Sequence, residues 1–201
     1  MDSPLTALDR PNSYIGKALP RPNAKRLLVG RGRFVDDIHL PRMLHAAFVR
    51  SPHAHARIVA IDVSRAKTMP GVRFVAEGRD VAKVCEPWVG TLLHFKGMKS
   101  PPQYPLAMDK VTWVGEPVVA IVADSRAKAE DAAEQVEVTY EELEPLVDMD
   151  AARAPDAPRL HEGFADNIAF HLALENGDVD AAFAAAAVVV EADMIFGRHT
   201  P

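Results

Sequence analysis

Cysteine is nearly absent, and Cys85 stands alone. One thiol excludes an internal disulfide framework and any cysteine-based zinc or iron–sulfur site. Long apolar runs are missing too. The longest, Ala181 to Val190, is ten residues and mostly alanine, about half of the roughly twenty a membrane helix needs. The first residues, Met1 to Arg10, carry acid where a secretory leader carries base and contain no apolar stretch. Secretion by an own signal is therefore not expected, and the expected location is cytoplasmic. Aromatics are sparse, with three tyrosines and two tryptophans against sixteen prolines, a balance that predicts many turns and long connections.

Charge is unevenly placed around a net of −5. Residues 1–60 hold ten Lys and Arg against four Asp and Glu, and residues 61–201 hold thirteen against twenty-four. A basic leading segment on an acidic body suits nucleic acid, an acidic partner, or the chain's own acidic half. The aromatic interleaving of a single-strand binder is missing, since only Tyr14, Phe34 and Phe48 occur there. Nucleic acid and membrane are not expected partners.

Residues 1–26, with Pro4, Pro11, Pro20 and Pro22 and little periodicity, read as an extended arm. Strands are expected at Met43–Arg50, at Arg57–Val63 (apolar on both faces, hence buried) and at Val72–Ala76. Ser64 is placed to cap a short helix between the last two. Residues 85–110, with Pro87, Pro101, Pro102 and Pro105, form a long loop of the kind that is functional or packs on a neighbour. Val111–Val114 reads as a short strand and Val118–Ala123 as a central one. A helix follows from Asp124 or Ser125 to about Val136, with Ala129, Ala132, Ala133 and Val136 on one face. Val136, Val138 and Tyr140 then alternate with Glu137, Thr139 and Glu141, completing a strand–helix–strand crossover, right-handed if its strands are parallel. After the Ala/Pro/Asp connector at 150–158, Asn167–Glu175 alternates as a strand. Gly177-Asp178 opens a helix, and Ala187–Phe196 alternates as a last strand. The same capped turn follows two strands, Ser64-Arg-Ala-Lys67 and Ser125-Arg-Ala-Lys128.

Each motif with chemical potential has a plainer reading. Ser125 and Lys128, like Ser64 and Lys67, match Ser-x-x-Lys, the spacing of a lysine-activated serine hydrolase. The companion Ser-Asp-Asn and Lys-Thr-Gly elements are absent, and helix capping explains the serines. His53 and His55 share a face if extended, with His45 nearby, but a metal needs a third ligand and a second shell. Gly30-Arg31-Gly32-Arg33 has the amides and guanidinium groups to cradle an anion. It is not Gly-x-Gly-x-x-Gly, and no helix opens after it. Asp36 and Asp37 are adjacent, so an extended chain points them to opposite faces and no acid/base pair forms. Cys85 beside Glu86 has no evident base. No catalytic, cofactor-binding or metal-binding residue is assigned from these patterns.

Several stretches together resemble a known family. Ser13-Tyr-Ile-Gly-Lys17, Gly30-Arg-Gly-Arg-Phe-Val-Asp-Asp37 and Met43 to Ile58 (Met-Leu-His-Ala-Ala-Phe-Val-Arg-Ser-Pro-His-Ala-His-Ala-Arg-Ile) come in that family's order. So do Val114-Gly-Glu-Pro-Val118, Ala129-Glu-Asp-Ala-Ala-Glu134, Tyr140-Glu-Glu-Leu143 and Gly177-Asp-Val-Asp-Ala-Ala-Phe183. Over residues 13–200 the chain is similar to the N-terminal part of the molybdenum-bearing large subunit of the xanthine dehydrogenase / aldehyde oxidase / carbon monoxide dehydrogenase family. The resemblance implies an α+β fold: an α/β-hammerhead domain over residues 27–145 with a mixed sheet and the crossover, preceded by the 1–26 arm. Residues 146–201 would be a connector, helix and strand leading to a molybdopterin-binding domain. It also implies hydroxylation by a water-derived oxygen at a molybdenum centre, with electrons leaving through iron–sulfur clusters and FAD on partner subunits. The family's pterin and active-site residues lie in domains after this one, so none is carried onto a position here. The expected role is that of a structural or assembly component, a fragment or split subunit that is not catalytic alone. It would be completed by a molybdopterin-binding polypeptide and by iron–sulfur and flavin subunits, or associate with itself through exposed edges. The alternative is a stand-alone hammerhead scaffold without redox work.

Overall fold

The computed structural model describes Tyr14, residues 17–90, Leu92 and residues 95–197. Most of the expected arm, parts of the Ser13–Lys17 motif and of the 85–110 loop, and residues 198–201 lie outside the described residues. The chain divides after Leu44 into two compact units.

In the first unit, helix α1 (Ala24–Leu28) is followed by a 3-10 turn at Val35–Asp37. Gly30 adopts φ +71°, a left-handed conformation open to residues without a Cβ. There the Gly30 N–H donates to the Leu27 carbonyl at 3.1 Å and the Arg31 N–H to the Arg26 carbonyl at 2.9 Å. This pair of reversed bonds is the usual glycine closure of a helix C-terminus.

Among the described residues the second unit holds six strands. They are β1 (His45–Arg50), β2 (Ala56–Asp62), β3 (Val72–Glu77), β4 (Lys110–Val111), β5 (Pro117–Ala123) and β6 (Glu137–Glu142). They form two three-stranded sheets, ordered β1-β5-β3 and β4-β2-β6. Every pairing is antiparallel. The α+β class stands, but the expected mixed sheet is two antiparallel ones. The crossover from β5 through helix α4 (Arg126–Ala133) to β6 joins different sheets, so the handedness rule for parallel neighbours does not apply.

β5 is central and carries the core. Val118, Val119 and Ile121 are fully buried and pack with Ala56 and Val111 of the other sheet in one cluster. α4 lies on β1 and β5 and buries Ala129 and Ala132, two of the four positions expected on its apolar face. The expectation that β2 is buried on both faces fails. The pairing with β6 shifts between Ile58 and Ala60, leaving Val59 as a bulge residue that is 59% exposed. The extra residue lets Ile58 and Ile61 both lean on the core despite their odd spacing.

Smaller helices are α2 (Ser64–Thr68), α3 (Gly78–Val81), α5 (Met149–Ala152) and α6 (Val179–Ala185). The expected strand 111–114 shrinks to β4, because Thr112 turns its amide onto Glu116. The expected strands 167–175 and 187–196 carry no ladder, although α6 forms between them as its capping Asp178 predicts. Alternation sets which side of a strand is apolar, but a strand also needs a hydrogen-bonding neighbour. Among the described residues no helix is long and apolar enough to cross a membrane.

Candidate functional site

The motifs singled out from sequence serve structure. Ser125 caps α4, its Oγ accepting from the Lys128 N–H at 3.4 Å, while Lys128 Nζ turns to Asp124 at 2.8 Å. Serine and lysine are therefore linked through the backbone, with no proton path between side chains. In the parallel motif Ser64 is the first helical residue rather than the cap, and the Asp62 carboxylate accepts its N–H at 2.9 Å. That bond is the main cause holding Asp62 below its ordinary value.

The histidines separate. His55 is 8% exposed, and its Nδ1–H donates to the Glu144 carbonyl at 2.7 Å. His53 tilts against the Tyr140 ring at 4.9 Å and sits 3.6 Å from the Glu142 carboxylate. His45 stands on β1 opposite Ala123. Among the described residues no three His, Cys, Asp or Glu gather around one point. In the first unit the amides of Gly30 and Arg31 are already bound to carbonyls at the negative end of α1, so two of the donors the motif offered are taken up in closing the helix. Asp37 Oδ2 accepts the Phe34 N–H at 2.8 Å and closes the 3-10 turn. Cys85 is half-buried with its Sγ on the Val81 carbonyl at 3.4 Å.

Polar groups do collect at one corner, where β1 ends, β2 begins and β4 leads into β5. The Ser51 N–H donates to the Glu116 carbonyl, and the Gly115 N–H donates to the Ser51 carbonyl. Gly115, at φ +88°, turns the chain so that the Glu116 side chain folds back. Its Oε2 accepts the Thr112 N–H at 2.6 Å and the Thr112 hydroxyl at 3.3 Å. Burial pushes this carboxyl above its ordinary value, against the pull of those bonds. The Tyr140 hydroxyl is buried nearby, and burial raises its phenol, with the Ser51 side chain opposing. Beyond Thr112, Lys110 Nζ donates to the Leu160 carbonyl and to Glu162 Oε1, each at 2.8 Å. A cavity of about 240 Å³ opens between the long loop and this corner, lined by Tyr104, Lys110, Thr112, Glu116 and His161.

The corner has no nucleophile held by a base and no row of donors aimed at one point, so it is built to fix chain segments against one another. Sequence reasoning missed it. Lys110 and Glu162 lie 52 residues apart, and the local signal was limited to an acid inside the Val-Gly-Glu-Pro turn. Within the long loop, Trp88 and Gln103 pair through two backbone bonds of 2.8 and 2.9 Å, and Leu106 is buried.

Comparison with known proteins agrees with this architecture. Residues 29–144 match the family described as "Aldehyde oxidase and xanthine dehydrogenase, a/b hammerhead domain". The nicotine 6-hydroxylase large subunit of Paenarthrobacter nicotinovorans is 40% identical over 193 residues, covering 92% of this chain and 23% of that protein. The carbon monoxide dehydrogenase large chain of Afipia carboxidovorans is 39% identical over 165 residues, covering 81% of this chain and 20% of its own length. Quinoline 2-oxidoreductase from Pseudomonas putida 86 superposes with a TM-score of 0.75 at 40% identity, over 87% of this chain and 22% of that one. The chain thus spans about a quarter of the length of the relatives it matches. It belongs to the aldehyde oxidase and xanthine dehydrogenase family, and its folded body is that family's hammerhead domain.

Proposed function

We propose that this chain is a structural and assembly component of a molybdenum hydroxylase-type oxidoreductase, a fragment or split subunit that docks onto a molybdopterin-binding polypeptide and does not catalyse alone. In this reading residues 1–26 are an arm, 27–145 the hammerhead body and 146–201 the lead-in to the partner, all in the cytoplasm. The reading is supported by one observation above all. Most of the chain matches about a quarter of each relative, and residues 168–197 are exposed although they carry Phe170, Leu172, Leu174, Val190 and Ile195. Apolar stretches of that length are covered in a working protein.

The residues present do not fit the cofactor the family implies. The described residues offer no cluster of three His, Cys, Asp or Glu, and the Gly30 and Arg31 amides are engaged at the end of α1. In this reading the molybdenum cofactor is held by the partner polypeptide, and iron–sulfur clusters and FAD by further subunits. Affinity capture of the chain from its native cells, followed by metal analysis, tests this. The expected outcome is co-purification of a larger polypeptide with molybdenum. A chain that emerges alone and metal-free favours a stand-alone scaffold and overturns the proposal.

A further inference from the structure

Residues 146–169 are fastened to the hammerhead body by side chains. Besides Lys110 on Leu160 and Glu162, Lys99 Nζ pairs with Asp166 at 2.5 Å and the Lys99 N–H donates to the Ala169 carbonyl at 2.7 Å. Phe95 and Phe170 stack at 4.2 Å. Asn167 ties the segment to itself, accepting from the Leu160 N–H and donating to the carbonyls of Ala152 and Pro158. His161 sits between the two residues that Lys110 holds. Its half-buried ring lines the cavity shared with Glu116 and also a second one of about 260 Å³ under Leu146, Leu160 and Phe164.

We propose that residues 146–169 form a clasp, closed on the long loop and β4 while His161 is neutral and opened locally when His161 takes up a proton. The argument is one of placement. A proton on His161 puts a second cation beside the Lys110 ammonium, in a wall shared by two cavities, and directly between the two bonds that anchor the segment. From β4 and the turn after it, Lys110 and Glu116 face the ring's cavities, and from the long loop Lys99, Tyr104 and Asp109 do. His55 approaches from the turn before β2, and Glu162 and Asp166 belong to the clasp itself. Burial first, then Lys110, holds the imidazole below its ordinary value of 6.5, with Glu162 opposing. A histidine with a lowered folded value stabilises the closed form above the free value. That contribution is lost as pH falls from there toward the folded value.

Hydrogen exchange on the 201-residue chain between about pH 7.5 and about pH 5.5, corrected for intrinsic rates, tests the clasp. The amides of Lys99, Leu160 and Ile168 should lose protection on acidification, by about tenfold for each unit between the free and folded values. Those of Val119 and Ile121 in β5 should not. His161→Gln should abolish the pH dependence. Because that variant can loosen the clasp at every pH, a direct NMR titration of the His161 ring in the unaltered chain is the second measurement. It should give a midpoint below the ordinary histidine value, shared by the Leu160 amide. Parallel loss of protection in β5, a ring that titrates at or above the ordinary value, or pH dependence surviving in His161→Gln would each overturn the proposal.

Discussion

Glu116 holds the turn into β5 by accepting two hydrogens from Thr112. Glu116→Ala strands the half-buried Thr112 amide and should cost about 1–3 kcal/mol in urea unfolding. Glu116→Gln keeps an acceptor oxygen and should cost much less. The sign of the pH effect follows from burial, which raises this carboxyl above 4.5. A raised carboxyl contributes stability fully below 4.5 and loses it as pH climbs through the folded value. Glu116→Gln, uncharged throughout, should flatten that limb of the stability curve, and a curve parallel to wild type would contradict the assignment. Gly78 makes the case for shape alone. It is buried, and a Cβ there meets the Ala107 carbonyl oxygen, a backbone atom that cannot swing aside. Gly78→Ala should therefore lower stability by about 1–3 kcal/mol, read as a drop in the thermal midpoint, whereas Gly163→Ala, in open space, should leave it unchanged.

Among the elements, α4 separates capping from chemistry. Ser125→Ala removes the cap and should cost about 0.5–2 kcal/mol. Lys128→Met removes only the partly exposed pair with Asp124, and exposed pairs contribute about 0–1 kcal/mol. Circular-dichroism melts of the two variants give the comparison, and a loss from Lys128→Met as large as that from Ser125→Ala would contradict it. This helix, β5 and β6 were all legible in the sequence, since a capping serine, an apolar run and acid–apolar alternation are local signals. The partition into two sheets was not, because pairing joins segments as distant as His45 and Ala123. The Val59 bulge was hidden for a related reason: Arg57–Val63 reads as apolar on both faces when Ile58 and Ile61 are in fact brought to one side by a slipped ladder. Residues 167–175 and 187–196 show the limit from the other direction, their alternation being clear and their neighbour absent from the described residues. The corner around Glu116 and Lys110 escaped notice because its parts come from three elements, each ordinary alone.

For the molecule as a whole, the uncovered apolar stretch sets behaviour in solution. Val190 and Ile195 are 85% and 93% exposed, so the isolated chain should self-associate, as sedimentation velocity would show. Val190→Glu with Ile195→Glu should shift it toward monomer without moving the unfolding midpoint, since neither side chain touches the core. Wild-type chain that sediments as a monomer at all concentrations would remove the premise. The strand order bears on how the protein is made. β5 lies between β1 and β3, both of which leave the ribosome before it, and β2 waits longer still for β6. The first sheet cannot close until translation has passed Ala123 and the second until it has passed Glu142, so the first half of the nascent polypeptide emerges with its edges open until the late strands arrive.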